Sequence, residues 1–297
     1  MNLFLLFWAC ATLFGQDAVF RADVSLVRVD AQVIHRGNIV RNLAKTDFSV
    51  RDNGEPREIL YFGLEQDPLD VILILDTSGS MDKAIGQVNA AARAALNTLR
   101  NEDRVAVIRF TRHAVTAAPF TEDRAQVAST IAEICGRGFG GGTDIHGALQ
   151  HAAAEFLNLA RSRRRRAILL VSDGQSESYH PKQDVLRKLW EADAVMNSLQ
   201  VQGPRLLNGA MNLRMRLFGV DLKELARETG GEVLKANHIG EDFRRMLERM
   251  RQRYSLHFAP ASGLSGQQRS IVVELSDGAR KRYPQARVLA RRAYVSP

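Results

Sequence analysis

Cysteine is nearly absent. The 297 residues hold two, Cys10 and Cys135. Cys10 lies in a stretch expected to be removed, so Cys135 stands alone, no intrachain disulfide is possible, and stability must come from core packing. Cys135 reads as a small hydrophobe at a helix end rather than a reactive thiol. A bilayer-spanning helix needs about 20 apolar residues, and the apolar N-terminal run is too short for that. Residues 1–15, Met-Asn-Leu-Phe-Leu-Leu-Phe-Trp-Ala-Cys-Ala-Thr-Leu-Phe-Gly, carry no charged side chain and fit the hydrophobic region of an export signal. No Lys or Arg precedes the run, cleavage is expected after Ala11 or Gly15, and the bulky residues before Ala9 argue against lipidation. The expected location is therefore secreted, periplasmic or bacterial cell-envelope. No nucleic-acid motif accompanies the net charge of +8 or the pI near 9.9. The basic cluster at Arg161 and Arg163–Arg166 is expected to be a solvated helix end, because the apolar run Ala167–Val171 follows at once.

What is present is an ordinary globular composition, 45% hydrophobic and 25% charged, in a chain long enough for one large domain or two smaller ones. Residues 24–63 are β-rich. Val24–Ile34 alternates over most of its length, and Asp47–Arg51 predicts a second strand. Asp52-Asn53-Gly54 supplies a hairpin turn, with Arg57–Gly63 as the return strand. After Asp70 the texture changes to strand–helix alternation. Strands are expected at Val71–Leu75, Val105–Phe110, Ala167–Ser172 and Glu232–Lys235, with an edge strand at His113–Ala117. Helices are expected at Met81–Arg100, Asp123–Cys135, Asp144–Ala160, Val185–Ala192, Asp221–Thr229 and Glu241–Arg253. Ala194–Val201 reads equally as strand or helix. Residues 203–220 give no clear signal. Beyond them β character returns, at Tyr254–Phe258, Ser270–Leu275 and Ala286–Ala293. Neither β-rich end can bury a core alone, so residues 24–65 and 254–297 are expected to form one small β-sandwich. The α/β unit, residues 68–253, is then inserted between its halves, as a Rossmann-like, mainly parallel sheet flanked by helices.

Asp70-Val-Ile-Leu-Ile-Leu-Asp-Thr-Ser-Gly-Ser80 organises this unit. Five apolar residues predict a strand buried on both faces, and its end delivers Asp76, Ser78 and Ser80 into a loop. Ligands of open α/β sheets bind at such carboxyl edges. Two further loops carry oxygen donors: Thr143, after three glycines, and Asp173, before Gly174. Hard oxygen donors suit Mg²⁺ or Mn²⁺ better than zinc or copper.

Asp76-Thr-Ser-Gly-Ser80, Gly-Gly-Thr143-Asp144 and Val-Ser-Asp173-Gly174 together resemble the metal-ion-dependent adhesion site of the von Willebrand factor type A (VWA) domain. The likeness covers roughly residues 68–253. The flanks Leu43-Ala-Lys-Thr-Asp-Phe-Ser-Val-Arg-Asp-Asn-Gly-Glu-Pro56, Tyr254-Ser-Leu and Ala-Arg-Arg-Ala-Tyr294 look like the exported VWA-related family known from acidobacteria. The resemblance implies a divalent cation (Mg²⁺, or Mn²⁺ or Ca²⁺) bound by Ser78, Ser80 and Thr143 hydroxyls, with Asp76 and Asp173 binding directly or through water. It implies a protein partner whose Asp or Glu completes the coordination, with Asp144, Tyr179 and His180 at the rim. It also implies coupling of ligand capture to movement of the last helix, Glu241–Arg253, which runs without a linker into Tyr254–Phe258.

Two other readings are a metal-dependent phosphohydrolase using Asp76 and Asp173, and an envelope protein with a passive metal. The enzyme reading needs a nucleophile–base pair or a phosphate-clamping cation at the same edge, and no such constellation emerges. His146, two residues into a helix, is expected to be exposed. The expectation is a binding module, not an enzyme.

Overall fold

The computed structural model describes residues 26–64, 67–137, 140–160, 162–176, 180–202, 219–261 and 265–296. The N-terminal apolar stretch and most of residues 203–220 lie outside them. The chain opens in β structure: β1 (Val27–His35), β2 (Asn38–Ile39), β3 (Phe48–Asp52), β4 (Glu55–Arg57) and β5 (Tyr61–Leu64). Asn53 and Gly54, with φ of 49° and 86°, make the tight turn between β3 and β4. The expected return strand Arg57–Gly63 is split. Only β4 pairs with β3, and β5 crosses to another sheet. Strand pairing, not local alternation, decided that division.

The α/β unit follows with β6 (Leu69–Asp76), α1 (Ile85–Leu96), β7 (Arg104–Phe110), β8 (Ala114–Thr121) and α2 (Arg124–Cys135). It continues through α3 (Ile145–Leu157), β9 (Arg165–Ser172), α4 (Lys182–Glu191) and β10 (Ala194–Gln200), then α5 (Leu222–Thr229), β11 (Val233–Lys235) and α6 (Ile239–Arg251). The six strands lie in the order β11-β10-β9-β6-β7-β8, parallel except for the edge strand β8. Ala194–Val201, ambiguous by pattern, holds the strand Ala194–Gln200, which pairs in register with β9 and β11.

Every residue of β6 is buried, as two covered faces require. Leu69, Val71, Leu73 and Leu75 pack with α1, α2 and α6. Ile72 and Ile74 point the other way, into α3, α4 and α5. Helix starts are sealed locally. Asp123, Asp144 and Asp221 each accept hydrogen bonds from backbone N–H groups of the first turn. Gly230 ends α5 in the left-handed region at φ 82°.

The chain closes with β12 (Tyr254–Phe258), β13 (Gln268–Leu275), α7 (Asp277–Arg282), β14 (Arg287–Leu289) and β15 (Ala293–Val295). These strands complete two antiparallel sheets begun by the N-terminal segment, β14-β1-β12-β5 and β15-β13-β3-β4. Val29, Ala31, Phe48, Val50, Leu256 and Ile271 share one core between them. Tyr254 ties the ends further, its hydroxyl donating to Val40 O at 2.9 Å.

Arginines join the sandwich to the α/β unit, which corrects the expectation for the basic cluster. Arg165 is 2% exposed, and its Nε donates to Asp30 Oδ2 at 2.8 Å. Its other nitrogens donate to Arg251 O and Met250 O at 2.8 and 3.0 Å, closing the end of α6. Gln32 Nε2 donates to Arg249 O at 2.7 Å and Gln252 O at 3.1 Å. Arg164 pairs with Asp70 at 2.6 Å. Arg165 therefore binds the two layers together and Arg164 ties the start of β9 to β6, because buried carboxylates wait for them at long sequence distance.

Candidate metal centre

The site grows out of strand ends. Asp76 closes β6 and is fully buried, because β9 and β7 flank it on both sides. The Ser78 N–H donates to Asp76 Oδ1 at 2.9 Å, and the Ser172 hydroxyl donates to Oδ2 at 2.6 Å. Ser78 is 2% exposed, and its hydroxyl lies 3.2 Å from that of Ser80. Thr77 turns away, its hydroxyl donating to Phe110 O at 2.9 Å. One loop thus presents a carboxylate and two hydroxyls.

Asp173 follows β9 and is 6% exposed. Gln175 holds it doubly, from N–H to Oδ1 and from Nε2 to Oδ2, both at 2.9 Å. Burial pushes the Asp76 carboxyl up to about 6; the hydrogen bonds from Ser172 and Ser78 oppose this, and the charge of Asp173 adds to it. Among the described residues no Lys, Arg or His pairs with either carboxylate; His180 Nε2 lies 3.2 Å from Asp144 Oδ2 instead.

The third loop is brought in by backbone bonds. Gly140 N–H donates to Thr77 O at 3.3 Å, and Asp144 N–H to Thr111 O at 2.9 Å. Gly141 has φ +86°, and a Cβ on Gly142 would sit 2.8 Å from Arg112 Nε. The glycines therefore let the Thr143 loop pass close to β7 with the Arg112 side chain against it. Ser176 was not singled out by sequence. Its hydroxyl donates to Thr143 O at 2.9 Å and accepts from Ile145 N–H at 3.1 Å, locking the second and third loops together. Its signal was faint, a serine three residues beyond Asp173.

Asp144 caps α3 through Gly147 N–H at 2.9 Å and meets His180 Nε2 at 3.2 Å. His180 stands at the rim with its side chain 40% exposed. His146 corrects its expectation. It is 3% exposed, with Nδ1 2.8 Å from His180 O, and burial lowers its pKa. Tyr179 lies outside the described residues.

The donor set can be tested against a cation. Two buried carboxylates near each other, paired with no basic side chain among the described residues, leave charge that a low-dielectric site does not tolerate alone. Hydroxyls of Ser78 and Ser80 supply neutral hard oxygens beside them. Such a set matches Mg²⁺, Mn²⁺ or Ca²⁺ in type.

Residues 71–175 match the von Willebrand factor type A domain. A von Willebrand factor type A protein from Catenulispora acidiphila superposes with a TM-score of 0.51 at 14% identity, over 93% of this chain and 75% of that one. An aerotolerance-related membrane protein from Bacteroides fragilis gives 0.47 at 17% identity, over 61% and 98%. BatB from Bacteroides thetaiotaomicron gives 0.45 at 18% identity, over 61% and 98%. No curated protein matches the chain. The fold is that of a VWA domain, a mainly parallel sheet between helices, accompanied here by antiparallel sheets. Among the described residues no helix is long and apolar enough to cross a membrane.

Proposed function

We propose that the three loops hold a divalent cation, Mg²⁺ with Mn²⁺ or Ca²⁺ as substitutes, and that the protein is an exported adhesion module. Ser78, Ser80 and Thr143 would contribute hydroxyls, and Asp76 and Asp173 carboxylates. VWA domains generally serve as interaction modules rather than enzymes, and this is the class of activity inferred. The observation that carries the reading is the pair of buried carboxylates, 0% and 6% exposed, which among the described residues meet hydroxyl and amide donors but pair with no cationic side chain. Five donor residues leave one position of a six-coordinate ion open, and a carboxylate oxygen from an Asp or Glu of a protein partner is the hard donor that would fill it. Arg112, packed against Gly142 beside Thr143, adds attraction for that acid. Asp144 and His180 would border the incoming group.

Calorimetric titration of Mg²⁺ and Mn²⁺ into chelator-treated protein tests the reading, beside a Ser78→Ala/Ser80→Ala variant. Saturable binding that the folded variant loses, and that a free acidic peptide strengthens, is the expected result. No cation binding with or without the peptide overturns the site. Turnover of a simple phosphoester by the loaded protein overturns the non-enzymatic assignment.

A further inference from the structure

A second concavity opens at the opposite edge of the parallel sheet, where β9 begins. It is a cleft of about 880 Å³, within the range of ligand-binding cavities. Arg166, at its wall, and Asp173, at the metal loops, are seven residues apart along β9. At about 3.3 Å per residue that separation is roughly 23 Å. The two sites are therefore distinct, and the cleft can be occupied whether or not the carboxylate edge holds a cation.

One wall of the cleft is a row across three strands of the sandwich. Arg28 of β1 sits opposite His257 of β12, and His257 sits opposite Tyr61 of β5. The facing wall is built from the ends of α3 and α4 and the approach to β9, including Leu157, Arg163, Arg166 and Trp190. Among the described residues six large hydrophobic side chains are exposed. Three of them, Leu26 at 40%, Tyr61 at 43% and Leu157 at 46%, line this one cleft. Exposed apolar surface concentrated in one concavity, on elements from both structural units, marks a place where something binds.

Charge narrows the occupant. The carboxylates in the lining already have arginine partners. Asp193 meets Arg28 at 2.9 Å and Arg291 at 3.0 Å, Glu191 meets Arg187 at 3.0 Å, and Asp67 lies 4.0 Å from Arg28. Two guanidiniums in the lining, Arg163 and Arg166, form no salt bridge with a carboxylate among the described residues. Arg166 donates instead to Ala192 O at 3.0 Å and lies 5.8 Å from the centre of the Phe156 ring. Arg163 is exposed. Two unmatched cations suit a ligand with a pair of carboxylates. A nucleic-acid backbone needs a longer run of unpaired cations than this. The apolar side chains spaced around the rim call for apolar groups alternating with those acids, and β5, the outer strand of its sheet, borders the opening.

We propose that this cleft binds an extended acidic peptide in which carboxylates alternate with aliphatic or aromatic side chains. Its acids pair with Arg163 and Arg166, and its apolar groups rest against Leu26, Tyr61 and Leu157. The probe is a fluorescein-labelled hexapeptide, Leu-Glu-Phe-Glu-Leu-Glu, titrated by anisotropy into the full chain. Saturable binding is expected, equal in EDTA and in Mg²⁺, weakened by salt, and at least tenfold weaker for the counterpart with glutamine in place of glutamate. Arg163→Glu and Leu157→Asp, both at exposed positions, should each weaken it about tenfold with an unchanged melting temperature. Equal binding of the glutamine peptide, indifference to both substitutions, or a requirement for Mg²⁺ would each overturn the proposal. Binding of dodecanoate in place of the peptide would overturn it in favour of a site for amphiphiles.

Discussion

The two edges of the parallel sheet treat buried carboxylates in opposite ways. At the edge where strands begin, acids meet arginines: Asp70 pairs with Arg104 and Arg164, Asp103 with Arg251, and Asp30 with Arg165. At the edge where strands end, Asp76 is held by the Ser172 hydroxyl and the Ser78 N–H, and Asp173 by the backbone and side-chain amides of Gln175. In the first, each of these carboxylates is completed by an arginine, and the Asp30–Arg165 pair joins two layers of the fold. The second holds carboxylates that no cationic side chain among the described residues pairs with. The same residue type is thus a structural fastener at one edge and an open valence at the other, and the partner supplied decides which.

The largest expected effect comes from breaking the complete edge. Asp30→Asn strands the buried Arg165 guanidinium and should cost about 3–5 kcal/mol, read from urea unfolding. The open edge should respond with the opposite sign. Asp76→Asn in metal-free protein at pH 7.5 removes a buried charge without a counter-ion and should raise stability by roughly 1–3 kcal/mol. Under the proposed function, the same variant should lose the stabilisation that Mg²⁺ gives the unaltered protein, about 2.7 kcal/mol at a hundred times its Kd. A destabilised apo Asp76→Asn variant would show that the open edge is balanced by something within the chain.

Acid sharpens the contrast. Burial alone would raise the Asp30 carboxyl, but the Arg165 and Arg28 guanidiniums override it and hold it well below the usual range. The unfolded chain then takes up a proton that the folded one refuses. Stability from this pair is full at neutral pH and drains as pH falls below about 4, the ordinary carboxylate value. Asp30→Asn should flatten that part of the acid-unfolding curve. For Asp76, raised to about 6, the sign reverses: in the metal-free protein its contribution is present below about pH 4 and is lost as pH rises through 6. The smallest effect belongs to exposed pairs. Glu248→Gln breaks the exposed pair with Arg244 and should change stability by about 0.5 kcal/mol or less.

The open edge was legible in the sequence and the complete edge was not, for a physical reason. Val71–Leu75 and the donors after it are neighbours in the chain, so their pattern states the strand and its loop together. Asn53-Gly54 encoded its turn just as locally. Arg165 meets Asp30 across 135 positions, and nothing near Arg165 separates it from a solvated arginine. The crossing of β5, the burial of His146 and the bridging hydroxyl of Ser176 are likewise products of tertiary packing. Leu199 and its neighbours became a strand for the same reason, through pairing rather than periodicity.

The sandwich also changes how the molecule carries load. β1, near one end of the described chain, pairs with β12, which emerges from α6, and Leu26 and Ser296 line the same cleft. A pull applied at the carboxylate edge leaves the α/β unit through two covalent links in parallel, one ahead of β6 and one behind α6. The tension in each link is lower than in a domain strung on a single tether, and separating the links requires the β5–β12 ladder to open from its Leu64–Tyr254 end.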